Sequence, residues 1–254
     1  MNFEGRVAII TGAGSEKGIG RETARQVSKR GGAVVIADID EAGLAEAQEE
    51  ISQYNNGQTM TVKLDVTDKE ACHQMVKKVM DRFGRIDILI NNAGISRPTR
   101  VLDIPEQEWN LVFDINMKGT FFLTQAVLPY MQKSAYGRVV NLSSVSGKRG
   151  GGIFGGSHYS AAKAAVTGFT KAVAREMAPY GITCNTVAPG LIGGTNITGG
   201  LLTTDKEVSI KEGIPAGRVG EVKDVAYSIS FLASEGAGYI TGEELDINGG
   251  SHID

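Results

Sequence analysis

Short apolar, β-branched runs alternate with longer helical patterns along the whole chain, and this alternation limits the fold more than any other feature. Strand-like runs fall at residues 7–10, 33–37, 60–64, 86–90, 138–142, 182–187 and 244–247. Between them lie helical patterns at 19–30, 41–54, 105–133, 157–178 and 222–232, the 105–133 stretch reading as two joined pieces. A further helix is capped by Asp68 and carries Met75, Val76, Val79, Met80 and Phe83 at helical spacing.

Alternating β and α elements build a parallel sheet covered by helices on both faces, and right-handed crossovers wind it in both directions. The expected fold class is therefore α/β: a Rossmann-like, doubly wound parallel sheet forming one domain over residues 1–254. Ligands of such sheets bind beyond the carboxyl ends of the strands, so functional residues belong just after strands. Residues 189–215 are the least patterned stretch, rich in Gly and Thr, and are too long for a mere connector. They read as a substrate-covering loop, with a surface insertion as the alternative.

Composition removes several classes of partner. The net charge of −3 offers no basic footprint for nucleic acid. No apolar run approaches the roughly 20 residues that cross a bilayer, so no membrane partner is expected. Residues 1–6 carry no secretion signal. Cys72 and Cys184 stand far apart, in no metal-ligand spacing, and read as small buried apolar residues. Without a disulfide framework or a metal motif, a reducing, cytoplasmic setting is expected. The acceptor patterns at 141–143 and 196–198 are then fortuitous.

A Gly-rich turn, residues 11–20, follows the first strand and leads into a helix. Its glycines let backbone approach a pyrophosphate, and the helix start offers free N–H groups. Asp38 ends the second strand, 18 positions after Gly20. A carboxylate there can accept hydrogen bonds from ribose hydroxyls and repels a 2′-phosphate. No Arg or Lys follows directly, which favours NAD as cofactor over NADP.

Tyr159 and Lys163 stand four residues apart and share a helix face. Such a pair is common on helix surfaces, but its place after the fifth strand, in a chain with a dinucleotide turn, gives it weight. A free Tyr holds its proton up to a pH of about 10. A nearby ammonium, aided by the positive nicotinamide ring, is expected to lower that value. Tyr159 then serves as base for alcohol oxidation or acid for carbonyl reduction.

With these motifs the chain resembles the short-chain dehydrogenase/reductase family over nearly its whole length. The resemblance implies cofactor contacts at Gly12, Ser15, Gly18, Ile19 and Gly20, although the turn is two residues longer than the family's. Asp65 and Val66 resemble the adenine-contacting Asp and its neighbour, and Asn92, Ala93 and Gly94 the adenosine-side wall. Pro189, Gly190 and Ile192 resemble the segment that holds the nicotinamide amide, with Thr195 one position late. Tyr159 and Lys163 also touch the cofactor in the family. By the same resemblance Ser144 hydrogen-bonds the substrate oxygen, with Ser143 the runner-up, and Asn116 kinks its helix and holds a water near Lys163. A homo-oligomer, a tetramer by resemblance, is expected. The apolar residues Ala164, Ala165, Val166, Phe169 and Val173 exceed one core-facing stripe and suit a partner helix.

Fourteen residues separate Ser144 from Tyr159, two more than is usual in the family, and they are glycine-rich and basic. Ser96, Arg97, Ser146, Arg149, Phe154 and His158 are the candidate substrate contacts. Arg97, Arg149 and His158 could meet an anion. The expected small-molecule substrate is therefore a secondary alcohol or ketone of a polar compound: a sugar, sugar acid or polyol. One alternative is a 3-oxoacyl-thioester reductase, an activity that in this family usually uses NADPH. Another is a dinucleotide-sensing protein without catalysis, which the presence of both Tyr159 and Lys163 opposes.

Overall fold

A computed structural model describes residues 1–198 and 202–253. In chain order it contains β1 (Val7–Thr11), α1 (Ile19–Ser28), β2 (Ala33–Asp38), α2 (Glu41–Ser52), β3 (Thr59–Lys63), α3 (Lys69–Phe83) and β4 (Ile88–Asn91). Next come α4 (Glu106–Phe113), α5 (Gly119–Ser134), β5 (Gly137–Leu142), α6 (Val145–Arg149), α7 (Ser157–Met177) and β6 (Ile182–Pro189). The chain continues through α8 (Thr204–Glu212) and α9 (Val222–Leu232) to β7 (Glu244–Ile247).

The strands form a seven-stranded sheet in the order β3-β2-β1-β4-β5-β6-β7, and every pairing is parallel. The expected fold class is correct. The chain winds outward from β1 in one direction, then returns to continue from β4 in the other. This reversal opens a crevice above the carboxyl ends of β1 and β4.

The strands are apolar because both faces are covered. In β1, Val7 and Ile9 enter a core shared with Met75, Val79, Leu123, Val127 and Val173 of α3, α5 and α7. Ala8 and Ile10 enter the opposite core with Ala24, Val27, Leu44, Ile51, Val225 and Ile229 of α1, α2 and α9. The alternation follows from the two-residue repeat of a strand.

Several boundaries differ from the sequence reading, mostly by one or two residues. Leu64 lies just past β3, and Ile86 and Asp87 precede β4. Residues 189–215 contain α8, which covers more than half of the part after residue 201. The two pieces expected over 105–133 are α4 and α5, joined by a π-helical turn at Asp114–Lys118 that contains Asn116.

Candidate active site

The loop after β1 is held against β4 by a small lattice of hydrogen bonds. Thr11 Oγ1 accepts from the backbone N–H groups of Asn92, at 3.1 Å, and Ala93, at 3.0 Å. The Asn92 side-chain amide donates to the carbonyls of Thr11, at 2.8 Å, and Gly12, at 2.9 Å. Behind this lattice, α1 approaches so closely that a Cβ on Gly20 would stand 2.5 Å from the Gly12 oxygen. Gly20 thus sets the spacing of helix and turn instead of lining the cavity above them. The helix starts at Gly18 without a side-chain cap, whereas α2 and α3 are capped by Asp40 and Asp68. Its first N–H groups are free for another acceptor.

The lengthened turn reaches toward β2. The Gly14 N–H donates to Asp38 Oδ2 at 2.8 Å, and the Asp40 N–H to Asp38 Oδ1 at 3.1 Å. Asp38 is held by backbone on two sides while still lining the cavity.

Across the crevice, Ser144 sits in extended backbone at the start of α6, and Tyr159 and Lys163 lie one helical turn apart on α7. All three are buried. The Ser144 hydroxyl is turned toward the Tyr159 phenol and favours its ionised form. Lys163 Nζ donates to the Leu142 carbonyl at 2.7 Å and lies 5.8 Å from the centre of the Tyr159 ring. Ser143 turns instead to α7, where its hydroxyl meets the Lys163 carbonyl and Thr167. Of the two serines, Ser144 is the one turned toward the tyrosine.

Burial dominates the electrostatics here. It pushes the Tyr159 phenol above its ordinary value, against the smaller opposing effect of Ser144, and lowers the Lys163 ammonium to about 8. The expected lowering of Tyr159 by Lys163 is not what the protein alone produces. The ammonium is turned to the Leu142 carbonyl, and loss of hydration outweighs its pull.

Asn116 lies behind this pair, beyond Gly94, and does not line the main cavity. Its amide donates to the carbonyls of Ile95, at 2.9 Å, and Val112, at 2.8 Å. Its buried Oδ1 has no partner. A Cβ on Gly94 would stand 2.6 Å from that oxygen and 3.3 Å from Lys163 Nζ, so only a glycine leaves the gap between them open.

A cavity of about 1060 Å³ joins the two ends. Ser15, Gly18, Ile19, Asp65, Val66, Asn92, Ala93, Pro189, Gly190, Ile192 and Thr195 line it together with Asp38, Ser144, Tyr159 and Lys163.

A family model described as enoyl-(acyl carrier protein) reductase matches residues 12–252. Across its whole length the chain is 43% identical to all of an uncharacterized short-chain type dehydrogenase/reductase of Sinorhizobium fredii. It is 41% identical to the whole 3-oxoacyl-(acyl-carrier-protein) reductase of Haemophilus influenzae over 99% of its own length, and 41% identical to that of Escherichia coli over the full length of both. The chain belongs to the short-chain dehydrogenase/reductase family.

Short-chain dehydrogenases bind a nicotinamide dinucleotide, and the residues present fit one. The uncapped start of α1 and the buried, unpartnered Ser15 hydroxyl suit its phosphates. Among the described residues, no group of three or more His, Cys, Asp or Glu side chains is placed to hold a metal.

The expected substrate contacts divide. Ser96, Arg97, Ser146, Arg149 and Phe154 line the cavity. His158 does not: it is wholly buried beneath the wall, 3.1 Å from Glu108. At the start of α7 its ring turns to α4, while its neighbour Tyr159 faces the crevice. Arg149 donates to the Ser251 carbonyl at 2.8 Å and Arg97 to that of Ser96 at 3.0 Å. Each has further N–H groups available on its guanidinium.

Much of the remaining wall is apolar: Ile95, Pro98, Leu111, Val145, Ile153, Leu191 and Ile210. These residues escaped the sequence reading because they carry no chemistry and come from segments far apart in the chain. Thr11 also escaped it, although a Thr directly before the first glycine was the available signal.

The reacting end is fastened to the last strand. Lys148 donates to Asp246 Oδ2 at 2.7 Å, and Thr167 to Glu244 Oε1 at 2.8 Å.

Proposed function

We propose that the protein is an NAD(H)-dependent oxidoreductase that interconverts a 3-oxoacyl thioester and its 3-hydroxy form. The convergence of Ser144, Tyr159 and Lys163 on the cavity that Asp38 also lines carries the reaction class. The apolar wall and the named relatives support the acyl substrate. Asp38, fixed by two backbone N–H groups, supports NAD, because a 2′-phosphate there would meet an anchored carboxylate.

The dinucleotide, when bound, gives or accepts the hydride. Gly12, Gly18 and Ile19 cradle it, Ser15 meets its phosphates, Asp65 and Val66 meet the adenine, and Asn92, Ala93 and Gly94 form its side wall. Pro189, Gly190, Ile192 and Thr195 hold the amide end. Ser144 hydrogen-bonds the substrate oxygen, where negative charge develops during reduction. Tyr159 donates its proton to that oxygen. The raised phenol value keeps this proton in place at neutral pH, so Tyr159 is ready as an acid. Lys163 and the free Asn116 oxygen form the route by which water restores the proton. Residues 189–198 and 202–215 cover the substrate, with Leu191, Ile197 and Ile210 on the cavity side.

The polar-substrate reading keeps one supporting observation, the presence of Arg97 and Arg149 on the wall. Loss of His158 from the set weakens it. We also infer a homo-oligomer, for which light scattering is the test.

The deciding experiment follows NADH absorbance with acetoacetyl-CoA for reduction and with 3-hydroxybutyryl-CoA and NAD for oxidation. Parallel arms use NADP(H) and a panel of polyols and sugar acids. Turnover of the thioesters with NAD(H) is expected. Turnover confined to polyols, or confined to NADP(H), would overturn the reading.

A further inference from the structure

His158 stands next to Tyr159 in the chain, yet it is turned away from the cavity and wholly buried. Its Nε2 lies 3.1 Å from Glu108 Oε1 on α4, a carboxylate with its side chain 22% exposed. The ring stacks on Trp109 of the same helix, with centroids 6.5 Å apart and planes 21° apart, and Trp109 in turn stacks on Phe113 at 5.0 Å. For the neutral ring, Nε2 must carry the hydrogen that meets the carboxylate, which leaves Nδ1 as a bare acceptor. That nitrogen is buried without a partner. A buried orphan atom is a cost, so the polar part of this ring contributes through the bond to Glu108.

The bond bears on the reacting end through two contacts. The His158 ring packs under Gly156, where a Cβ would come within 2.8 Å of Cε1. The preceding residue, Gly155, lies on the face of Tyr159, where a Cβ would stand 2.6 Å from the ring. The same stretch is sewn to the loop after β4: the Gly156 N–H donates to the Arg97 carbonyl at 2.7 Å, and the Ser96 hydroxyl to that of Phe154. The first turn of α7 has no side-chain cap, and the His158–Glu108 bond ties it to another helix.

We propose that His158 is a positioning residue: anchored on Glu108, it fixes the start of α7 and thereby the placing of Tyr159 against the Phe154–Gly156 wall. It touches neither substrate nor cofactor. A shift of a fraction of an ångström at the phenol is enough to slow proton transfer.

The test uses the full-length chain with His158→Phe, which keeps a ring over Trp109 but no N–H, together with Glu108→Ala, the double variant, and Glu108→Gln, which keeps an acceptor oxygen. Its kinetic arm rests on the thioester reading above and uses NADH and acetoacetyl-CoA. In His158→Phe and in Glu108→Ala kcat is expected to fall about tenfold, with NADH binding unchanged by fluorescence titration. The double variant should be no slower than either single one, and Glu108→Gln should restore the rate. Amide hydrogen exchange over residues 150–160 should speed up in both single variants and not in Glu108→Gln. Losses that add in the double variant, or unchanged kcat and exchange in the singles, would overturn the proposal. If the unmodified chain does not reduce acetoacetyl-CoA, the thioester reading fails by itself, and hydrogen exchange alone decides the role of His158. If His158→Phe does not fold, the two substitutions at the partly exposed Glu108 carry the same test.

Discussion

The two ends of the crevice are built from different materials. The cofactor end is built on backbone: carbonyls and N–H groups of residues 11–14 and 92–93, laced together through the side chains of Thr11, Asn92 and Asp38. The reacting end is mostly side chain: Ser144 and Tyr159 turned toward each other, and Lys163 and Asn116 each aimed by bonds to backbone carbonyls. Backbone surfaces tolerate many side chains nearby but no added bulk. Side-chain constellations tolerate bulk nearby but no loss of a functional atom.

The largest effect expected to sharpen this contrast is Tyr159→Phe, which removes one oxygen. Turnover should fall by about 10²–10⁴-fold while NADH fluorescence titration gives unchanged binding. A retained rate would remove Tyr159 from the chemistry. The converse substitution, Gly20→Ala, adds one carbon against the Gly12 carbonyl. NADH affinity should drop about tenfold or more, measured by calorimetry, because the turn must shift from its lattice with β4. Binding at the original strength would show that the turn is not the rigid backbone surface described.

Asp38→Ser tests the side chain on which the proposed NAD preference rests. The ratio of NADH to NADPH efficiency should move toward NADPH by about tenfold. An unmoved ratio would place the preference elsewhere.

The smallest effect is a pH-dependent one at Lys163. Its folded value, about 8, lies below its ordinary value of 10.5. At pH 7 the lysine is charged in both folded and unfolded chains, and the full cost of burying that charge is present. As pH rises through 8 the folded form sheds its proton first, and the cost fades. Lys163→Met should therefore gain a few degrees in Tm at pH 7 over the native chain, a gain that shrinks toward pH 10. A constant difference across that range would show that the ammonium is not buried as described.

The contrast also explains what could be read from the chain alone. Alternating strands and helices are local patterns, so the parallel sheet and the positions after β1, β2, β4 and β5 were accessible. Tyr159, Lys163 and Ser144 are chemical letters at fixed spacing. The direction of His158 was not accessible, because one residue along a helix turns a side chain by about 100° and only the packing of α4 decides where that leads. The value of Tyr159 was misjudged for a related reason: proximity in sequence indicates a charge nearby, but not the depth of burial around it. The apolar wall is invisible for want of any motif, and α8 is so polar that its segment passed for a loop.

The fastening of Lys148 to Asp246 spans 98 residues of chain, and that of Arg149 to Ser251 spans 102. During synthesis Tyr159 and Ser144 emerge long before the strand that steadies the wall around them. At ribosomal speeds of about 5–20 residues per second, the gap amounts to several seconds. Throughout that interval strands β1 to β5 and the turn after β1 have been made while α6 still lacks its anchor. The wall around Ser144 and Tyr159 is thus steadied only once the last strand has been made.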